Sequence, residues 1–547
     1  MDLRPHLAAA LRDAAKRAGL DGSALDAIAF QKPARPEHGD WATNLALRLA
    51  AELGLPAREI AQRLIEQVSF DPRRVSRAEV AGPGFINVFY APSFLHDTLA
   101  EILASPDDYG RSRHAAGRRA LVEFVSANPT GPLTVGHGRN AVLGDAIARL
   151  LEWNGYAVTR EYYFNNAGRQ MRLLGESVRA RYQQLLGQDV AFPEEGYQGE
   201  YIWDIARALL AEHGDRLLAV EELEPFKEAA ERIIFADILR TLARLGVQMD
   251  SFFNEHDLYK SGALKQLIER LRERELVYES EGALWFRGTS LGRHRDVVLL
   301  KSTGEPTYRL PDIAYHIHKL ERGYDLIVNV FGADHIDTYP DVLAALRALG
   351  YEVERVRVLL YQFVTLLKDG QPYKMSTRRA TFVTLDELID EVGPDVTRFF
   401  FLMRSPGTHL EFDLDLAKEA SEKNPVFYLQ YAHARIVSIV RKAQELGLVF
   451  EEAPAYELLT HPHEVALMKA LLDLPLVIQE AAEMLEPHRV IGYLNEVAAA
   501  FHRFYHSCRI IGEEPRLASA RMHLAQAARV VLRNGLNVLG VSAPEHM

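Results

Sequence analysis

The sequence predicts an α/β protein. A parallel-sheet domain interrupted by a helical insertion follows an α+β domain and precedes an α-helical bundle. Three observations carry this. "RALVEFV", "SANPTGPLTVGHGRN", "AVLGDAIARLLEWNG" and "YAVTREYYF" read as strand, loop, helix and strand, a βαβ unit of the kind that builds parallel sheets. Strand–helix alternation resumes beyond about residue 290, after a charged stretch that is mostly helical. From about residue 421 the periodicity is helical to the end.

The elements follow in order. "MDLRPHLAAALRDAAKRAGL" scatters its charges and has no uninterrupted apolar core, so it reads as an amphipathic helix rather than a signal peptide. "HGDWATNLALRLAAELG" reads as a helix with Asp40 near its start and Gly54 at its stop. "AEVAGPGFINVFYA" reads as two short strands around a Gly-Pro-Gly turn, and "SPDDYGRSR" as a boundary. Residues 1–110 are therefore expected to form a first domain, and residues 111–420 the sheet domain. Its insertion, at about 170–290, carries the helical patterns "RIIFADILRTLARLG" and "SGALKQLIERLRERELV". Then "RDVVLLK" leads to "TYRLPDIAYHIHKLERG", "YDLIVNVFGADH" leads to "IDTYPDVLAALRALG", and "VRVLLYQFVTLL" reads as one more strand. Residues 421–547 are expected to form the bundle.

Composition narrows the function classes. In 547 residues, 48% hydrophobic and 25% charged content is that of an ordinary globular protein. No apolar run reaches the ~18 residues of a membrane helix, so no membrane partner is expected. Cys508 is the single cysteine, which excludes internal disulfides and Cys-based metal sites and fits a cytoplasmic location. Net charge is -12, so a nucleic-acid partner would need a local basic surface.

Two stretches carry chemistry. The Gly/Pro loop around His137 joins a strand end to a helix start, where unpaired N–H groups and a partial positive charge favour an anion. Gly136 and Gly138 would let a phosphate approach the backbone, and Thr134 and His137 would donate to it. This is neither a Walker loop nor a G-x-G-x-x-G fingerprint, and alone it reads equally well as a structural βα turn. The second stretch is "KDGQPYKMSTRRATFVTLDELIDEVGPDV". Asp369-Gly370 marks a turn, and Thr384 with Glu387 forms a capping box opening the helix "LDELIDEV". Between them lies the basic loop Lys374-Met375-Ser376-Thr377-Arg378, which in isolation reads as a solvated charged loop.

Together the two stretches resemble the paired signatures of the class I aminoacyl-tRNA synthetases. More specifically, the chain resembles the arginyl-tRNA synthetase family. The segments that carry this are "EFVSANPTGPLTVGHGRN", "GEPTYRLPDIAYHIHK", "VFGADH", "KMSTRRATFVTLDELIDEVG" and "NPVFYLQYAHARI", with "GDWATNLA", "GPGFINVF" and "LRNGLNVLGVSAPEHM" towards the termini. The resemblance covers nearly the whole chain and implies a Rossmann-like catalytic domain. Two positions depart from the family's pattern: Thr134 replaces the first signature's leading histidine, and Thr377 replaces a lysine of the second, a charge that Arg378 is placed to supply.

The resemblance implies that arginine attacks the α-phosphorus of ATP, giving arginyl-adenylate, and that the arginyl group passes to a terminal ribose hydroxyl of tRNA. His137 and Lys374 are the implied catalytic residues. Thr134, Gly136, His137, Lys374, Met375, Ser376 and Arg378 would bind ATP, which Mg²⁺ accompanies. Glu123 and Asp312 would hold the guanidinium with Tyr308 beside them, and Ser126, Asn128, Asp334 and His335 would complete the arginine pocket. His316 and His318 read as helix-surface residues and His461 and His463 as loop residues, so no metal site is expected.

Between 501 and 540 six arginines stand against two acids, with Phe501, Phe504 and Tyr505 among them. Basic and aromatic residues together suit a single-stranded RNA loop, although an ordinary bundle with solvated arginines has the same composition. Tyr428, Tyr431, His433, Arg503 and Arg509 are the expected tRNA contacts, and by resemblance the N-terminal domain touches the tRNA's outer corner. A monomer is expected. Three rivals remain at this point: a synthetase of the same class for another amino acid, a small-molecule adenylate-forming ligase, and a synthetase-like RNA-binding regulator. The lone cysteine opposes a zinc-thiolate pocket, the helical C-terminal domain opposes the ligase, and the presence of both His137 and Lys374 opposes the regulator.

Overall fold

A computed structural model describes residues 2–373 and 383–547. At the N-terminus, helix α1 (Arg4–Arg17) buries Leu7, Leu11, Ala14 and Ala15, the apolar face that its pattern predicts. Strand β1 (Trp41–Thr43), helices α2 (Leu45–Leu53) and α3 (Ala57–Gln67), strands β2 (Val75–Ala81) and β3 (Phe85–Tyr90) and helix α4 (Pro92–Ala104) follow. The hairpin β2–β3 turns at Gly82-Pro83-Gly84 as expected, in an antiparallel sheet of order β1-β3-β2. The helix expected to start near Asp40 starts only at Leu45, because Trp41–Thr43 pair with β3. Asp40 instead accepts the N–H of Tyr90 (2.8 Å) and pairs with Lys469 (2.5 Å). Gly54 does end α2, in the left-handed region (φ 68°) that glycine adopts without strain.

The central domain is built on five parallel strands in the order β11-β10-β4-β5-β6. They are β4 (Arg119–Glu123), β5 (Ala157–Phe164), β6 (Ser251–Asn254), β10 (Leu326–Gly332) and β11 (Val356–Tyr361). Helix α5 (Val135–Trp153) connects β4 to β5 and is buried along most of its length. Helices α6 (Gly168–Leu185), α7 (Glu200–His213) and α8 (Glu224–Arg244) form the helical part of the stretch between β5 and β6. β6 was not expected within a helical stretch. Its four residues are too few to show a strand period, and only pairing with β5 makes them a strand.

Beyond α9 (His256–Lys260) and α10 (Ala263–Glu273), strands β7 (Val277–Ser280), β8 (Ala283–Phe286) and β9 (Val297–Leu300) form a separate antiparallel sheet. The strand read from "RDVVLLK" is therefore β9, and it does not belong to the parallel sheet. A second apolar cluster packs this sheet against α10, α11 (Arg309–Glu321) and α12 (Tyr339–Ala348). The expected single strand at 356–367 divides at Gln362-Phe363: β11 completes the large sheet, and β12 (Val364–Lys368) opens a small one. That sheet has the order β13-β12-β14, with β13 (Gln371–Pro372) and β14 (Leu410–Asp413). Helices α13 (Leu385–Val392), α14 (Pro394–Leu402) and α15 (Leu414–Lys418) surround it.

The C-terminal bundle comprises α16 (Pro425–Glu445), α17 (Pro462–Leu472), α18 (Leu474–Met484), α19 (His488–Ser507) and α20 (Pro515–Val538). His461 ends the preceding loop as the N-cap of α17, as expected, whereas His463 lies in the first turn of α17 and is not a loop residue. The segment read as a boundary is clamped: Asn534 on α20 donates to the carbonyls of Pro106 (2.8 Å) and Tyr109 (2.9 Å). No helix of the described residues is long and apolar enough to cross a membrane.

Candidate active site

The site lies at the carboxyl ends of β4 and β10, the edge where open α/β sheets bind ligands. Directly after β4, Val125 and Ser126 both have positive φ (66° and 45°). For a β-branched residue this is a strained backbone, of the kind retained where surrounding contacts over-determine it. Asn140 on α5 supplies them: its Oδ1 accepts the N–H of Val125 (2.5 Å), and its Nδ2 donates to the carbonyl of Val330 (2.9 Å).

The loop around His137 is shorter than the sequence suggests, because α5 already begins at Val135. Thr134 is its N-cap, with Oγ1 accepting the N–H of His137 at 3.5 Å. His137 Nδ1 accepts the N–H of Thr134 at 3.1 Å. With that lone pair engaged, a neutral ring carries its proton on Nε2, which is then a hydrogen-bond donor. Burial lowers the His137 pKa, which favours this neutral form. Thr134 forms an antiparallel bridge with Thr384, and the N–H of Leu385 donates to the carbonyl of Leu133 (2.8 Å). Thr384 and Glu387 form the expected capping box of α13. Two capped helix N-termini, each with its partial positive charge, therefore lie side by side.

The two glycines have different tasks. A Cβ on Gly136 would meet only Thr134 Oγ1, at 3.7 Å, so this position is open to a ligand. A Cβ on Gly138 would stand 2.5 Å from Leu385 Cδ1 and 3.0 Å from Phe401, both buried. Gly138 therefore serves the packing of α5 on α13 and α14 rather than phosphate approach. Gly138→Ala is expected to lower stability by about 1–3 kcal/mol, and Gly136→Ala to leave stability nearly unchanged while weakening ATP binding. Thermal unfolding with and without ATP checks both.

A cluster of acids faces this corner. Glu123 is 3% exposed. Its Oε2 accepts from Lys319 Nζ (2.5 Å) and its Oε1 from Ser126 Oγ (3.0 Å). Lys319 also donates to Asn329 Oδ1 (2.7 Å), and Asn329 Nδ2 donates to His316 Nε2 (2.9 Å). His316 is thus buried inside the network rather than on the helix surface, and burial pushes its pKa down to about 3. His318 is exposed, as expected. Glu255, reached by Tyr163 Oη (2.5 Å) and Asn165 Nδ2 (2.9 Å), is a third acid.

Asp312 is half-buried, and its carboxylate makes no hydrogen bond among the described residues. Burial, then Glu123 and Glu255, push its carboxyl up to about 7; Lys319 and Arg309 offset this only in part. An added positive charge beside this carboxyl would favour its ionised form.

Asn128 bridges the N–H of Asn165 (3.0 Å) and Gln170 Oε1 (3.1 Å). Tyr308 is 85% exposed and does not pack beside the acids. Asp334 and His335 are exposed beyond β10, His335 stacking on Phe331. Lys374, Met375, Ser376 and Arg378 lie outside the described residues. Sequence reasoning missed Lys319, Tyr163 and Glu255. For Lys319 a signal existed: Asp312, His316 and Lys319 recur at i, i+4 and i+7, a polar stripe on one face of α11.

On the bundle, Tyr428 and Arg509 line a cavity of about 840 Å³ between α16 and α19, together with Arg435, His502 and Tyr505. Tyr431 lines the adjoining groove, where Arg435 donates to its hydroxyl (2.6 Å) and lies over the ring of Tyr505 (5.0 Å). Arg503 is exposed. His433 does not reach this surface, being buried with Nδ1 at the carbonyl of Pro544 (2.9 Å). Phe501 and Phe504 are core residues, and Arg521 is tied to Glu464, so the basic-aromatic surface is smaller than the sequence count suggests.

Three family models match the chain. The arginyl tRNA synthetase N terminal domain matches residues 2–90, the catalytic domain of tRNA synthetases class I (R) matches 98–398, and the DALR anticodon binding domain matches 429–547. An arginine–tRNA ligase of Salinibacter ruber is 57% identical over 538 residues, covering 95% of this chain and 96% of its own. One from Chlorobium phaeobacteroides is 51% identical over the whole of both chains, 555 aligned residues. The solved structure of Thermus thermophilus arginyl-tRNA synthetase superposes with a TM-score of 0.77 over all of both chains at 26% identity. By these matches, which together span nearly the whole chain, the chain belongs to the arginyl-tRNA synthetase family.

Proposed function

We propose that this chain charges tRNA with arginine in two steps at the corner just described: formation of arginyl-adenylate from arginine and ATP, then transfer to the terminal ribose of tRNA. Asp312 carries the reading. Its unpartnered carboxylate, beside Glu123 and Glu255, suits a planar guanidinium, which offers several donors and a fixed charge. Asn128 and Ser126 then lie near the other end of the amino acid, with Asp334 and His335 at the rim and Tyr308 available to close over it.

ATP enters with Mg²⁺, its phosphates towards the N-termini of α5 and α13. The His137 Nε2–H and the N–H groups near Gly136 donate to phosphate oxygens, while Thr134 holds the ring through the cap. Lys374 and Arg378 neutralise charge on the leaving pyrophosphate, and Met375 and Ser376 complete the ATP contacts of that loop. The arginine carboxylate is the nucleophile, so the protein's task is positioning and charge stabilisation. In the bundle, Tyr428, Tyr431, Arg503 and Arg509 stack on and pair with unpaired tRNA bases, joined by Arg435 and Tyr505. Residues 1–110, 111–420 and 421–547 act as outer-corner, catalytic and anticodon units of a cytoplasmic monomer.

Pyrophosphate exchange with each amino acid, with and without tRNA, tests this. Arginine alone is expected to support exchange, and only when tRNA is bound. Exchange with lysine would show the pocket to be misread; robust exchange without tRNA would remove the coupling but leave the pocket standing.

A further inference from the structure

Arg139 stands two residues beyond His137 on α5, and its side chain is wholly enclosed, at 0% exposure. One guanidinium nitrogen, Nη1, donates to the carbonyl of Gln362 (2.5 Å). The other, Nη2, donates to the carbonyls of Thr408 (3.0 Å) and Ser405 (3.3 Å). The Nε hydrogen is buried without an acceptor. Among the described residues no carboxylate pairs with this group, and although burial lowers its pKa to about 10 it stays charged at neutral pH. Buried cations are ordinarily paired, because an uncompensated charge in a poorly solvated interior is costly.

The three carbonyls share one location. Gln362 is the joint at which the chain leaves β11 of the large sheet and enters β12 of the small one. Ser405 and Thr408 lie in the turn that leads into β14, and β14 pairs with β12 from Val364↔Leu410 onward. The two segments are also tied to each other, the N–H of Gln362 donating to the carbonyl of Pro406 (3.0 Å). Arg139 therefore grips the root of the small sheet with a side chain anchored on the helix that carries His137. In sequence, β12 and β13 lead to Lys374, and α13 returns to the Thr134 bridge.

We infer that Arg139 is a positioning residue of the ATP site: by holding the root of the small sheet it sets that sheet, which leads in sequence to Lys374, against the helix that carries His137, so that the clamp and ATP binding reinforce each other. This rests on the proposed ATP site. The reinforcement is reciprocal, since a ligand that binds the clamped state more tightly must also stabilise the clamp. A lysine would keep the charge but not the planar fork that serves three carbonyls, and a methionine would keep length without charge.

The test compares Arg139→Met and Arg139→Lys with the wild-type protein. ATP and arginine dissociation constants are measured separately, with hydrogen exchange over 363–368 and 404–412. Loss of a charged hydrogen-bonding group predicts that Arg139→Met raises the ATP constant on the order of tenfold to a hundredfold. The arginine constant should stay within about twofold, because Asp312 shares no partner with Arg139. Both variants should exchange faster at the two segments, and Arg139→Lys should recover part of the ATP affinity without recovering protection. ATP affinity unchanged in Arg139→Met, or ATP and arginine weakened equally, would overturn the inference. Should the methionine variant fail to fold, the lysine variant decides: wild-type exchange protection there rejects the clamp. Failure of the wild-type protein itself to bind ATP would instead reject the reading of the site.

Discussion

Replacing Asp312 by asparagine is expected to weaken arginine binding by about 2–5 kcal/mol, the cost of removing one partner from a desolvated ion pair. ATP binding should change little. Asparagine keeps the shape of the side chain and loses only its charge, so the loss reports the electrostatics of the pocket. The pH dependence makes the test sharper. In the empty pocket burial and the neighbouring acids hold the Asp312 carboxyl up at about 7. A bound guanidinium favours the ionised form, so arginine binding expels the proton wherever Asp312 is protonated. Affinity should therefore rise with pH and level off above the empty-site value, an increase of about tenfold between pH 6 and pH 8. Asp312→Asn should flatten that profile. Calorimetric titration of arginine at several pH values decides the matter, and an unchanged affinity in the variant would mean that the pocket has been placed wrongly. Glu123→Gln should behave differently. It strips Lys319 of an ionised partner in a fully enclosed position, so a loss of stability should accompany any loss of affinity. The two single losses should not add in the double variant, because both acids act on one cation.

His137→Ala should slow adenylate formation on the order of a hundredfold to a thousandfold, the usual consequence of removing one preorganised donor from a developing charge. Arginine affinity should hold. Alanine also removes the ring nitrogen that accepts the Thr134 N–H, so some stability will be lost with the rate. His137→Gln separates the two effects, because glutamine at this position can still reach back to the cap, as Glu387 does in α13. It should unfold at nearly the wild-type temperature and still activate slowly. Single-turnover activation equal to wild type in the glutamine variant would remove His137 from the phosphate site.

Much of this site is visible in the order of residues because its causes are short-ranged. The Thr384–Glu387 capping box spans three positions, and the stop of α2 is a single left-handed glycine. The β2–β3 hairpin turns on three residues, and α1 shows its buried face through its own periodicity. For the same reason the strand end, Gly/Pro loop and helix start around His137 are legible before any fold is known.

Other features depended on partners far away in the chain. Lys319 joins the acid cluster only because its ammonium meets Glu123, 196 positions earlier, and Arg139 is held by carbonyls more than 220 positions on. β6 is a strand only beside β5, and β9 joins a different sheet because its hairpin partner β8 precedes it. Gly138 reads as a phosphate glycine until Leu385 and Phe401 are found pressed against it, and His433 reads as a surface residue until the C-terminal tail covers it. The sequence by itself determined most of the longer elements, the Thr384–Glu387 cap and the helical C-terminal region, since hydrophobic period and capping act within a few residues. Only the tertiary structure decided which charges are paired, which histidine is buried and which glycine is packed, because burial and Coulomb energy depend on distance in space and not on separation along the chain.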